Sequence, residues 1–401
     1  MKILIVTQFY YPEPFRVHEI AEELVKKGNI VSVLTTYPNY PQGVIYDGYK
    51  AKGVTIESRN NVEIIRIVSK PRGKSKIGLV LSYLSFYKNA RNYLKRKKEN
   101  NFDVVYCYQL SPVMQAIPAK WLSKKKDIPF YLYCLDIWPE SIRDVFPNKK
   151  MILYKVMRKI SAEIYCSANK IGVTSKSFIP YLHTECGVPY DRLLYLPQHA
   201  DDPLREADCS TLENNCIDIV FTGNIGESQN MDQIIDAVKM LSTDENFKIH
   251  IVGAGSALQH TQERVRKEGL SDRIFFYGKR PYQEMAKFYQ LADACLLTLS
   301  NKTQTGLTIP GKLQGYMAAG KTIIASISGD AADIMREANC GICVPADDAQ
   351  ALSDALREFI HNSEKYSNCG KNARAYFEEN FTLEKHIDAL NKQLCAMVAE
   401  E

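Results

Sequence analysis

No Asp-x-Asp occurs anywhere in the 401 residues, so a metal-diphosphate clamp of that kind is absent. No Walker-type phosphate loop is present either. Gly253-Ala254-Gly255 begins like a dinucleotide fingerprint, but the third glycine would fall at Leu258. The expectation is therefore a protein with no metal and no bound cofactor. Long apolar runs are missing as well. Residues 77–87 are far too short to span a bilayer. The 11 cysteines form an odd, scattered set without a disulfide framework. The chain starts MKILIVT, a buried-strand pattern and not that of a secretory leader. Both features point to the reducing cytoplasm. The one Cys-x-x-Cys, at Cys340 and Cys343, has no second pair and no nearby His. Core cysteines fit it better than zinc or a redox couple.

Acidic residues are scarce in the first half. Residues 1–200 carry 31 Lys and Arg against 16 Asp and Glu; residues 201–401 carry 20 against 30. Halves of opposite sign suggest two domains with different tasks, and the length suggests the same. Much of the basic excess lies between Lys70 and Lys98, where there is no Asp or Glu. Within it, residues 77–94 place apolar and tyrosyl side chains at helical spacing. A basic amphipathic helix suits an anionic membrane surface. A nucleic-acid groove is the competing partner, and a solvated helix face is the plain alternative. The apolar stripe favours the membrane, with no nucleic acid.

Strands and helices alternate throughout. Short apolar runs at 2–7, 29–35, 62–68, 104–108, 130–135 and 170–174 are separated by helical stretches, including 17–27, 77–96, 112–123 and 151–167. Residues 197–215 are polar and aperiodic and read as a linker. The alternation then restarts, with strands at 217–222, 248–252, 273–277, 294–298, 322–326 and 341–344. This is an α/β chain of two doubly wound, Rossmann-like domains. The expected division is 1–200 and 201–382, with a last helix over 383–401 packing back onto the first domain. Sheets of this kind bind ligands at the carboxyl ends of their strands, so the two domains are expected to face each other across a cleft.

Residues 303–326 (TQTGLTIPGKLQGYMAAGKTIIAS) read as a loop, a Pro-Gly turn, a short helix and a buried strand. Pro310 and Gly311 open the helix and Gly320 closes it. Its first turn holds Lys312 beside free backbone N–H groups, a setting for a phosphate or diphosphate. An ordinary crossover with a solvated lysine is the equal alternative. Three glycine turns follow strands of the same domain: Gly223-Asn224-Ile225-Gly226, Gly253-Ala254-Gly255, and Gly278-Lys279-Arg280. Together with Thr305, Gly306 and Leu307 they describe a nucleotide site. The base would lie near Gly278–Arg280, and the diphosphate near Gly223 and Lys312.

In the first domain, Asp136-Ile137-Trp138-Pro139-Glu140-Ser141 follows a strand. Asp136 or Glu140 could take a proton from an incoming hydroxyl; a turn cap and a helix start are the alternatives. The loops QFYYPEPFR at 8–16 and YPNYPQG at 37–43 carry Tyr-Pro pairs suited to sugar stacking or simply to stiff surface turns. Arg16 opens a helix and could bind phosphate or pair with Glu19.

These pieces resemble the family 4 retaining glycosyltransferases with the GT-B fold. FYYPEPFR (9–16), TTYPNYPQG (35–43), DIWPES (136–141), TGNIGESQNM (222–231) and TIPGKLQGYMAAGKTIIASISGD (308–330) carry the likeness, which spans essentially the whole chain. The set is most similar to the branch that builds bacterial O-antigen and capsule units. The resemblance implies transfer of a sugar from a nucleotide-sugar, usually UDP-linked, to a lipid-diphosphate-linked acceptor at the inner membrane face. The protein would be a peripherally bound cytoplasmic enzyme. An N-acetylated amino sugar is one possible donor group. It implies catalytic roles for Asp136, Glu140 and Lys312. Donor contacts would come from Gly223, Asn224, Gly226, Gly253, Gly255, Gly278, Lys279, Arg280, Thr305, Gly306, Leu307 and Gly311. Arg16, Tyr40 and Trp138 would lie on the acceptor side. The chain departs from the family where two glutamates are usual (Leu307, Gly315), where a lysine is common (Gln229) and where a histidine often stands (Leu135). A nucleotide-sugar epimerase and a non-catalytic sugar-nucleotide-binding partner stay open beside the transferase.

Overall fold

A computed structural model describes the chain apart from residues 74, 75, 98–100, 143–150, 201, 213, 242–244, 302–307 and 401. Two units are present: residues 1–197 with 386–401, and residues 198–385.

The first unit is built on eight strands: β1 (Lys2–Val6), β2 (Ile30–Thr36), β3 (Thr55–Arg59), β4 (Val62–Ile67), β5 (Val104–Gln109), β6 (Phe130–Cys134), β7 (Lys170–Val173) and β8 (Leu193–Tyr195). Their order is β3-β4-β2-β1-β5-β6-β7-β8. All pairs are parallel except β3 with β4. β1 is central, with Ile3 opposite Val31 on one side and Val104 on the other. Such strands are covered on both faces, which is why they read as unbroken apolar runs. Crossovers of this type are right-handed, so the helices after β4, β5 and β6 share one face of the sheet. Those helices are Lys76–Arg96, Ile117–Lys126 and Ile152–Tyr165. The first packs on the second, and the first and third both pack on the short turn Val113–Ala116. Helix Leu383–Ala399 joins this unit from His386 onward. Its His386 ring packs on Tyr133, Lys27 pairs with Asp388 at 2.5 Å, and Asn29 donates to Asn391 at 2.9 Å.

The second unit has six parallel strands: β9 (Ile217–Thr222), β10 (Phe247–Val252), β11 (Ile274–Gly278), β12 (Ala294–Thr298), β13 (Thr322–Ser326) and β14 (Gly341–Val344). The order is β11-β10-β9-β12-β13-β14. The order reverses between β9 and β12, the kind of switch point where open α/β sheets bind ligands.

Some segments depart from the sequence expectation. β3 was not expected: its residues TIESR are almost all exposed, so no apolar run marks it, and its antiparallel pairing with β4 alone defines it. β8 and helix Phe178–Cys186 are further additions. Residues 197–215 are not a free linker. Ala200, Leu204 and Cys209 are buried in the core of the second unit, and Ala200 N–H donates to Phe381 O at 3.0 Å. Their spacing hides one apolar face within a polar composition, and Asp202–Glu206 forms a short helix there.

The glycine turns of the second unit lock together at strand ends. Gly223 N–H donates to Val252 O, Ile225 N–H to Ala254 O, and Gly253 N–H to Gly278 O. A Cβ on Gly253 would lie 1.8 Å from Gly223 O, and one on Gly255 would lie 2.1 Å from Ile225 O. Backbone contact alone thus demands glycine at both places. Gly253→Ala is expected to lower stability by about 2 kcal/mol or more. A urea unfolding midpoint unchanged from wild type would contradict this packing.

Candidate active site

Helix Gly311–Ala318 brings Lys312 to the β9 turn. Leu313, Tyr316 and Met317 bury the helix, and Pro310 holds its start extended at φ −71°. Tyr316 sets the depth: its hydroxyl accepts from Thr222 N–H at 2.9 Å and donates to Leu296 O at 3.2 Å. One side chain therefore ties the helix to both switch-point strands, at the end of β9 and the middle of β12. Lys312 Nζ then reaches Asn224 O at 3.1 Å and lies 3.6 Å from the centre of the Phe221 ring. Gly223, at φ +110°, makes room, since a Cβ there would sit 2.8 Å from Lys312 Cε. No carboxylate pairs with Lys312 among the described residues. The lysine keeps some contact with solvent, yet burial pushes its pKa down from 10.5 to about 7. A cation so placed gains from any anion that arrives. The amides of Gly311 and Lys312 begin the helix and have no carbonyl within it to bond.

The rest of the expected donor site is more mixed. Of the four amides at 223–226, Gly223 and Ile225 donate to the neighbouring turn and Gly226 donates to Gln229 Oε1 at 3.1 Å. Only the Asn224 amide is left open among these four. Of the donor contacts expected at Gly223, Asn224 and Gly226, the backbone amides of the two glycines are thus already used within the protein, so these glycines serve chain packing first. Asn224 also donates through its side chain to Gln229 Oε1 at 3.1 Å. Gln229, which stands where family members often have lysine, is thus a brace for this loop. Gly278 adopts φ +66°, and Lys279 is exposed. Arg280 turns back to donate to Tyr277 O at 3.0 Å. Thr305, Gly306 and Leu307 lie outside the described residues.

In the first unit, Asp136 follows β6. Its backbone oxygen accepts from Gln109 Nε2 at 3.0 Å, which fixes the residue. Its carboxylate makes no hydrogen bond or ion pair among the described residues. Burial raises its pKa from 3.8 to about 6. An unpartnered, desolvated carboxylate is a strong acceptor for an incoming O–H. Tyr83 stands near it: burial raises its phenol pKa, and the Asp136 charge adds to the rise. Sequence reading missed Tyr83, since it sits in the basic helix as one aromatic among several.

Glu140 and Trp138 lie elsewhere than expected. Glu140 is buried and accepts from the hydroxyls of Tyr154 at 2.6 Å and Tyr181 at 3.1 Å. Trp138 is 7 % exposed, with its indole N–H donating to Ser111 Oγ at 2.6 Å. Neither presents an open surface; both brace the loop that carries Asp136. Tyr40 packs its ring on Phe9 and Phe15 and faces the Arg72 guanidinium at 5.0 Å. Arg16 is half-buried at the start of helix Val17–Lys26. A further carboxylate, Glu13, escaped notice. Its two oxygens accept the N–H groups of Tyr10, Asn39 and Tyr40, which ties the two Tyr-Pro loops together. Burial still raises its pKa to about 7.

Two family models cover most of the chain. Residues 15–201 match "Glycosyltransferase Family 4", and residues 209–376 match "Glycosyl transferases group 1". The chain belongs to the family 4 glycosyltransferases. A full-length relative is the O-antigen chain mannosyltransferase C of Escherichia coli, 23% identical over 97% of this chain and 96% of its own. Solved structures share the fold over their whole length. Sucrose-phosphate synthase from Thermosynechococcus elongatus has a TM-score of 0.76 at 15% identity, covering 100% of both chains. Anabaena HepE in complex with UDP has 0.69 at 13% identity, covering 99% of this chain and 100% of its own. The glycosyltransferase therefore has the GT-B fold, two doubly wound α/β units in one chain.

The raised pKa of Asp136 has a measurable cost in stability. Its unfolded form loses a proton near 3.8, but the folded form only near 6. Stability is therefore lost as pH rises through that window and stays lower above it. Asp136→Asn is expected to stabilise the glycosyltransferase by about 1–2 kcal/mol at pH 7.5, with no gain below pH 4. A melting temperature that falls at pH 7.5 would remove Asp136 as a strained, unpaired acid.

Proposed function

We propose that this glycosyltransferase is a retaining, metal-independent enzyme. It moves a hexosyl or N-acetylhexosaminyl group from a UDP-sugar to a lipid-diphosphate-linked acceptor. The product would enter a bacterial surface polysaccharide of the O-antigen or capsule type, made at the inner face of the plasma membrane. The observation that carries the reading is Lys312: a cation without a counter-charge among the described residues, at a helix start, beside the turn at the sheet's switch point. The UDP in Anabaena HepE and the O-antigen role named for the E. coli relative support the choice of donor and pathway type.

In this reading the second unit holds the donor. As the bond from the anomeric carbon to the diphosphate oxygen breaks, negative charge grows on the leaving group. Lys312 and the amides of Gly311, Lys312 and Asn224 stabilise it. The first unit takes the acceptor. Asp136 orients the attacking hydroxyl, whose proton passes to the departing phosphate on the same face of the sugar. Glu140 and Trp138 act as positioning residues through the Asp136 loop, with Arg16 and Tyr40 towards the acceptor. The uridine would lie near Gly253, Gly255, Gly278 and Arg280. The chemistry asks for few polar side chains, which fits the absence of the usual glutamates at Leu307 and Gly315. Among the described residues no helix is long and apolar enough to cross a membrane. Attachment would be peripheral, through the basic face that includes helix Lys76–Arg96.

Two experiments test the donor site. Lys312→Ala is expected to lower turnover about 10²-fold or more, as loss of a transition-state charge partner does. Near-normal turnover would refute the assignment. Calorimetry of UDP binding at pH 8, in buffers of different ionisation heat, is expected to show uptake of nearly one proton. The free lysine is mostly neutral there, and the diphosphate restores its charge. Affinity should weaken as pH rises above 7. Binding without proton uptake would place the diphosphate away from Lys312.

A further inference from the structure

The basic helix Lys76–Arg96 was expected to offer an apolar stripe to a membrane. Much of that stripe faces inward: Phe86, Ala90 and Leu94 are buried, and Ser82 with them. Val80, Leu81 and Leu84 remain outside. A larger apolar surface lies on a different helix of the same face. In Ile152–Tyr165 the inward side holds Tyr154, Ser161, Ile164 and Tyr165. Its outward side carries Ile152 (81 % exposed), Leu153 (52 %), Val156 (48 %) and Ile160 (38 %). Three of these recur every four residues and so form one stripe along the helix. Lys155 and Lys159 flank the stripe, both exposed and without an acidic partner among the described residues. A soluble domain rarely leaves so much aliphatic surface in one row without a use for it.

Beside this helix lies a groove of about 540 Å³, reaching to helices Lys76–Arg96 and Ile117–Lys126. Its apolar wall is Ile117, Trp121, Ile160 and Ile164. Its basic rim is Arg91, Lys120, Lys124 and Lys125, against the single acid Glu163. Arg91 stands 6.0 Å from the Trp121 ring centre. An apolar trough edged by cations matches an amphiphile with an anionic head. Charge and apolar stripe are complementary to a lipid leaflet together, whereas a nucleic acid would use only the charge.

We propose that this helix face is the membrane contact, and that the groove takes the phosphate headgroup and upper acyl chain of an anionic phospholipid. The stripe Ile152–Ile160 enters the acyl boundary, and the lysines meet lipid phosphate. This rests on the membrane reading above and gives it a specific site. It also moves the apolar anchor from residues 77–94 to the helix after β6.

The test uses the full chain and vesicles of phosphatidylglycerol in phosphatidylcholine, with phosphatidylcholine alone as control. Wild type is expected to sediment with the anionic vesicles only, and less so at high salt. Ile152→Ser with Val156→Ser should weaken partitioning about tenfold or more. Its UDP-induced thermal shift should match wild type, which shows that the fold is intact. Trp121 is one of only two tryptophans. Brominated phosphatidylglycerol is expected to quench its fluorescence, and Trp121→Phe to abolish that quenching. If wild type ignores anionic vesicles, the membrane partner itself is lost. If wild type binds but the double serine variant binds equally, or Trp121 escapes quenching, only this site is overturned. Loss on Lys120→Gln with Lys124→Gln but not in the serine variant marks a surface of charge alone, open to nucleic acid, and overturns it too. Inorganic phosphate that displaces no vesicle-bound protein supports a lipid and not a free phosphate as occupant; full displacement overturns the acyl-chain assignment.

Discussion

An ammonium group partly withdrawn from water, with no carboxylate to answer it among the described residues, organises one end of the second unit's sheet. Keeping Lys312 there costs stability, because burial disfavours its charge. The protein holds it by means that contribute no counter-charge: an Asn224 carbonyl, the face of Phe221 and the helix beneath it. Each of those parts depends on others. The helix depth depends on the Tyr316 hydroxyl, the β9 turn on the interlocked glycines, and the room for the lysine stem on Gly223. A cation placed so is best satisfied by an anion from outside, and the helix start adds its own amides to the same point.

The first unit repeats the logic with opposite sign. Asp136 is a carboxylate largely withdrawn from water and without a hydrogen-bond or ion-pair partner among the described residues. Elsewhere in the first unit, buried ionic groups do the opposite work and hold loops still. Arg66, with no exposed surface, donates to Thr36 O at 3.1 Å and Tyr11 O at 2.7 Å and pairs with Glu57. Glu13 collects three backbone N–H groups from the two Tyr-Pro loops. Buried charges that are fully bonded add little net stability but make alternative loop conformations costly. These satisfied groups keep the strand ends and their loops rigid.

The outer helices show a third arrangement, in which apolar surface is left uncovered by the described residues. Helix Ile152–Tyr165 points its aliphatic stripe outward while its tyrosines point inward. Two of those tyrosines help hold the Asp136 loop. Tyr154 donates to Glu140, and the Tyr165 hydroxyl accepts from Trp138 N–H at 3.0 Å. The helix that carries the outward stripe is therefore also the brace of the acidic loop.

The sequence by itself determined most of the strands, their alternation with helices and the GT-B class, and it marked Asp136 and Lys312 as candidate site residues. Those signals are local: a buried parallel strand is an apolar run, and a Pro-Gly turn opens a helix whatever surrounds it. β3 had no such signal, because its exposed polar residues become a strand only by pairing with β4. Tertiary structure alone decided that Gly253 and Gly255 serve backbone contact, that Glu140 and Trp138 are braces, that Glu13 ties the two Tyr-Pro loops, and that Tyr83 lies near Asp136. It also decided which of two apolar helical stripes meets solvent. Periodicity shows that a helix has an apolar face; it does not say whether protein lies against it, since burial is a property of neighbours distant in the chain.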